Sequence, residues 1–429
     1  MKSRGVHLRG FAGLAAVGLV AALTACASAA DENGPPKLVV NVTTQTPEGT
    51  EAWELTATAF EKANPGVEVD IIVVPDQNWG KLRLQVQQDT AGDLSQISDD
   101  DAFNLSPAFL AIDDVLTDEV REDVDPYAWE GFQVGPSPRL VTPVFRPTTI
   151  IYNKTLFAEA GVEAPTSFED AWSWDEFTAA LEKLTVDEDG DGNPEVYGMS
   201  APFSLAQLFS YSNGGSGPYN ADMTSCRMTD DDVVEAYQSF ADLRLVDKVM
   251  PLDVESSDTR RIFSEGRAAI TMGTGGTELS VIDPAIDWDI MPMPAFKTES
   301  VTVSNGNPIG VLKTSKNPEL AKKFLSFILA PETQELLFDS GLGLPVSASA
   351  AEAAVETLQS EIGHPELYFQ ALDQRVDLHT LNALGDEFIE RFVRVSAREI
   401  FLGQRTAEEA MAEQCEAFNV QIERFGPLE

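Results

Sequence analysis

Basic residues are scarce in this 429-residue sequence, which sets 29 Lys and Arg against 70 Asp and Glu for a formal net charge of −41. Binding to a nucleic acid needs Lys and Arg gathered against phosphates. No such cluster occurs, so nucleic acid is excluded as a partner, and the acidity suits a solvated, exposed protein. Histidine and cysteine are equally sparse, at three each. His7, His364 and His379 form no recognisable pairing motif with Cys26, Cys226 or Cys415, which leaves nucleophilic catalysis without its usual partners. The apolar stretch from Phe11 to Leu23 falls short of the roughly 20 residues that a membrane-spanning helix requires.

That stretch reads instead as an export signal. Lys2, Arg4 and Arg9 give it a basic start, and small and polar residues follow it at once. The run Leu23-Thr24-Ala25-Cys26 resembles the bacterial lipobox. Cleavage after residue 25 is therefore expected to expose Cys26 as a lipidated N-terminus, with residues 26–36 as a small, polar tether ending in Pro-Pro. In the oxidising compartment this implies, Cys226 and Cys415 are able to pair. The sequence does not show whether their Cα atoms come within bonding reach, and the question stays open at this stage.

The exported part is long enough for two cores. It opens with a strand-like run, Leu38 to Thr43, followed by a helical pattern over 51–63 that Asn64-Pro65-Gly66 terminates. A second strand over 67–74 and a second helix over 79–88 complete a β-α-β-α start, the mark of an open α/β sheet with parallel strands. Ligands bind such sheets beyond the carboxyl ends of the strands. Gln45 and Thr46, after the first strand, and Trp79, heading the second helix, are thereby candidate contacts.

Further along, Tyr152-Asn153-Lys154-Thr155-Leu156-Phe157 with Gly161, Pro165-Thr166 and Trp174-Asp175-Glu176-Phe177 predicts a strand, a capped helix, a proline turn and a second helix starting near Ser173. This segment resembles the hallmark of extracellular solute-binding proteins of the maltose-binding class, subunits of ABC importers. Similar blocks follow in family order: Phe263 to Ile270, Trp288 to Pro294 as a return crossing, Asn317 to Ile328, Gly343-Leu344-Pro345, and Gly403 to Ala410. The resemblance implies an α/β, two-lobed periplasmic-binding fold (type II, maltose-binding-like) with three interlobe crossings. On that pattern the first lobe takes 37–147 and 293–329, the second 148–292 and 330–429. A lipid-anchored monomer that captures a small polar ligand, most simply a sugar, and hands it to an ABC permease without chemistry is the function implied. An exported glycoside hydrolase, or a sensor docking on a membrane receptor, are the alternatives.

Carried over by position, the pocket would use Gln45, Thr46, Asp100 and Asp101 from the first lobe and Phe203 as an aromatic platform from the second. Arg146, just before the first crossing, suits an anionic substituent. Two departures from the family pattern reduce the aromatic surface. Met272 to Glu278 carries Gly276 in place of a tryptophan, and the C-terminal helix presents Glu390 and Arg391 where another ring is often found. No cofactor is expected, apart from calcium at Asp187, Asp189 and Asp191, a loop with oxygen ligands at positions one, three and five and Gly192 at six. Its twelfth position is Gly198, which cannot supply the usual bidentate acid.

Overall fold

The computed structural model describes residues 35–425, except for 45–46, 76–78, 215–216, 219–224, 252–255, 276–281 and 377–388. The signal peptide, Cys26, Gln45, Thr46 and Gly276 lie outside the described residues, as do the side chains of Trp79, Asp100 and Glu390.

Among the described residues the strands are β1 (Lys37–Thr44), β2 (Glu68–Pro75), β3 (Leu94–Gln96), β4 (Arg146–Asn153), β5 (Tyr197–Ser200), β6 (Ala268–Thr274), β7 (Trp288–Met291), β8 (Ser304–Asn305) and β9 (Ile309–Val311). They form two sheets, ordered β2-β1-β3-β9 and β5-β6-β4-β7, with β8 paired to β4. β1 runs parallel to both β2 and β3, as the β-α-β opening predicts. The later strand β9 returns antiparallel beside β3.

The Pro47–Ala63 helix begins one turn earlier than the apolar periodicity indicates and buries Trp53, Thr56, Ala57 and Phe60, an i, i+3/i+4 stripe. Gly66, at φ +89°, turns the chain into β2. The hallmark segment folds as its caps dictate. Asn153 accepts hydrogen bonds from the Thr155 and Leu156 amides to start the Lys154–Ala160 helix, which Gly161 ends in the left-handed region. Ser173 and Glu176 close a reciprocal capping box on Trp174–Leu184.

β4 is buried on both faces, so its alternation divides two cores. Ile150 and Tyr152 join the second core with Phe177, Phe209, Phe240 and Phe401. Ile151 joins the first core, which runs from Val40, Trp53 and Phe324 through Leu358 and Tyr368 to Ile290. Met293, Val301 and Val303 are buried in the second core, and β9 pairs with the first sheet. The Pro331–Asp339 helix packs with the first core through Leu337 and Phe338, against Pro47–Ala63.

The pairing left open by the sequence is settled. Cys226 and Cys415 are disulfide-bonded, with Cα atoms 5.5 Å apart, tying the strand-like segment before the Asp231–Leu245 helix to the Ala407–Phe425 helix. His364 is likewise structural. Its backbone amide and Nδ1 both meet the buried Asp289 carboxylate, at 3.2 and 2.9 Å, fixing the loop before Glu366–Asp373 to β7. No described helix is long and apolar enough to cross a membrane.

Candidate ligand site

The carboxyl ends of β1 and β3 in one sheet, and of β5 and β6 in the other, open toward the segments that join the sheets. β4 runs antiparallel to β6 and therefore starts from this same end, at Arg146. Three stretches of chain meet here. Val141 bridges Ile309, Arg146 and Pro147 pair with Asn305 and Ser304, and Phe145 bridges Leu344. The Thr302 hydroxyl donates to the Thr148 carbonyl at 2.5 Å. These contacts bring the three stretches side by side. Gly306 is required by their closeness, since a Cβ there would stand 1.8 Å from Thr142 Oγ1.

On the first-sheet side the polar side chains are spent on holding loops. Gln96 accepts from the Thr43 amide through Oε1 at 3.0 Å and donates through Nε2 to the Asn307 carbonyl at 3.2 Å. Asp99 accepts from the amides of Gly306 and Asn307 at 3.2 and 2.8 Å. Asp101, predicted to meet a ligand, is buried and paired with Arg83 at 2.8 Å. A carboxylate engaged this way fixes the Asp99–Asp101 turn more than it offers a free acceptor. Sequence reasoning did not single out Gln96 or Asp99 as supports, because Asn307, which both of them meet, lies more than 200 residues away.

Arg146 sits between the two halves. Its backbone amide donates to Ser304 Oγ at 3.1 Å, and its side-chain Nε donates to the Leu342 carbonyl at 2.9 Å, so the residue touches both of the other stretches. Burial pushes its pKa down from the ordinary guanidinium value, and the nearby negative charge of Asp99 partly restores it. Gly275, at φ +67°, presses against its backbone, where a Cβ would lie 2.7 Å from Arg146 Cα.

On the second-sheet side, Phe203 is half-buried against the second core, its ring 6.5 Å from that of Phe401. Phe401 is in turn covered by the Arg244 guanidinium, which also donates to the Phe401 carbonyl. Part of the Phe203 ring therefore serves packing. The hydroxyls of Thr149 and Ser200 are buried and meet no hydrogen-bond partner among the described residues. Arg391 is exposed in the turn Ile389–Arg394, 5.6 Å from the ring of Phe392, and Glu390 occupies the same turn.

The carboxylates of Asp187, Asp189 and Asp191 converge, with one oxygen of each within 4.8 Å of the others, and all three are exposed. They accept amide hydrogen bonds from Gly190, Asp191, Gly192 and Asn193, the pattern of consecutive Asx turns. Gly198, the twelfth position, lies on β5 against Leu181, whose carbonyl oxygen would be 2.4 Å from a Cβ.

Against known proteins, residues 43–335 match the family model described as bacterial extracellular solute-binding protein. Among solved structures, the chain is similar to the ABC substrate-binding protein Lmo0181 from Listeria monocytogenes in complex with cycloalternan, at 21% identity and TM-score 0.78 over 90% of this chain and 99% of that one. It is similar to a cyclic alpha-maltosyl-1,6-maltose binding protein from Arthrobacter globiformis, at 20% identity and TM-score 0.74 over 91% and 100%. The maltose/maltodextrin-binding domain MalE from Bdellovibrio bacteriovorus, bound to maltotriose, matches at 17% identity and TM-score 0.74 over 90% and 100%. At these identities the likeness establishes the fold, that of two-lobed maltose-binding-like proteins.

Proposed function

The chain belongs to the bacterial extracellular solute-binding proteins, and on that premise we propose that it captures a sugar or short oligosaccharide between its lobes and delivers it to an ABC permease. The observation that carries this reading is the meeting of the strand ends of both sheets over three adjacent crossings. A few crossing residues absorb the torsion changes of closure while the sheets stay rigid, and a ligand touching both halves favours the closed form. Oligosaccharides in the cited neighbours support a carbohydrate as the ligand class.

Binding is supported over hydrolysis by the acids at this end. Asp99 and Asp101 are engaged with backbone amides and with Arg83, whereas a glycosidase needs two carboxyl groups free to move protons about a bond. The lipid at Cys26 would keep the protein on the outer face of the membrane beside the permease, and Cys26→Ser is expected to release it from the membrane fraction.

Calorimetry against a panel of mono- and oligosaccharides, paired with small-angle scattering, tests the proposal. Micromolar or tighter binding with a fall in radius of gyration and no product is expected. Turnover of a glycoside, or no binding and no compaction with any member of the panel, would overturn it.

A further inference from the structure

Among the described residues, Arg146 carries a charge that no contacting carboxylate neutralises. Of the guanidinium donors, Nε is used by the Leu342 carbonyl. The rest of the group forms no ion pair among the described residues. Asp99 acts on it only through space, and both Asp99 oxygens already face the amides of Gly306 and Asn307. Burying a cation without a contacting anion is costly. The residue is nonetheless only half-buried, and it lies where Gly275 of the second sheet and Asp99 of the first come together. With Nε anchored, the two terminal NH2 groups form a rigid fork that matches paired oxygens of a carboxylate, sulfate or phosphate.

We infer that Arg146 anchors an anionic group of the ligand, so that the solute is an acidic sugar. This rests on the sugar-binding reading above and narrows it. The charge of −41 opposes the long-range approach of such a ligand. Association with an anion therefore quickens as salt screens the surface, while the direct contact to Arg146, within the junction, is screened less.

The test is calorimetry and stopped-flow binding on the full chain with matched probes: D-glucose against D-glucuronate and glucose 6-phosphate, and D-galactose against D-galacturonate, with inorganic sulfate as free anion. The acidic member is expected to bind at least tenfold more tightly than its neutral match, with sulfate competing, and the preferred acid separates a carboxylate ligand from a phosphate ester. Arg146→Met should erase the preference of the acidic over the neutral member, and Arg146→Lys should keep part of it. Should Arg146→Met fail to fold, competition by sulfate and the salt-accelerated association of the wild-type chain still decide. Equal or tighter binding of the neutral members sinks the anion inference alone. Failure of every probe, neutral and acidic, sinks the sugar-binding reading with it.

Discussion

The two sides of the junction are built on opposite plans. At the first sheet, Gln96, Asp99 and Asp101 all turn inward and hold loops. At the second, order comes from apolar packing around Phe401 and from the Cys226–Cys415 bond, while Thr149 and Ser200 keep hydroxyls without partners among the described residues. The contrast teaches that polar composition near a site does not measure its capacity to bind. Among the described residues, Gln96, Asp99 and Asp101 on the acid-rich side are engaged in holding loops, while Arg146 and the sparser second side keep polar groups less fully engaged.

The largest effect that would break this contrast is on the disulfide. It closes a loop across a sequence separation of 189 residues, and in the chain-entropy view such a bond contributes up to about 5 kcal/mol. Cys226→Ser with Cys415→Ser should lower stability by that amount in urea titrations. A loss under ~1 kcal/mol would mean that packing alone orders the second side.

Asp99→Ala tests the opposite side. It strips the acceptor from the amides of Gly306 and Asn307, and hydrogen bonds to a buried charge are worth about 1.5–3 kcal/mol. A loss of about 3 kcal/mol is expected, and a neutral result would show the first wall to be held by its backbone.

How much of this was legible depends on the range of each interaction. The caps at Asn153 and Ser173, the turn at Gly66 and the parallel opening of the first sheet are local, and they stand where the residues point. The hallmark blocks located β4 and hence Arg146. Asp101 is a candidate contact by its position in the family pattern, while its pairing with Arg83, on the preceding helix, is a tertiary feature that no local pattern shows. Gln96 and Asp99 were invisible as supports because Asn307 is brought to them only by the return crossing. The disulfide was undecidable for the same reason, since its two halves meet only in the folded second core.

A smaller effect concerns acid. Asp123 holds the start of the Ala348–Leu358 helix by accepting from the Ser347 hydroxyl and from the amide and hydroxyl of Ser349. Burial alone would raise its pKa, but these hydrogen bonds prevail and hold it below the ordinary carboxylate value. A depressed folded pKa gives stability that is complete above the unfolded value, near 4, and is lost as pH falls through the folded one. Asp123→Asn should therefore flatten stability against pH below about 4 by under ~1 kcal/mol, since the group is partly solvated. An unchanged acid limb would remove Asp123 from the account.

The finest test of the contrast changes one atom. Thr149 is 2% exposed and its hydroxyl has no partner among the described residues, so its desolvation is uncompensated within the described protein. Replacing a buried, unsatisfied hydroxyl with a methyl of similar shape is neutral or favourable. Thr149→Val is thus expected to raise stability by about 0.5–1 kcal/mol, where the corresponding loss of a polar group at Gln96 would lower it. Thermal melts of both variants, Thr149→Val and Gln96→Leu, put the two plans on one scale. A drop for Thr149→Val comparable to that for Gln96→Leu would mean that the second side is as fully hydrogen-bonded as the first, and the asymmetry from which Arg146 was singled out would be gone.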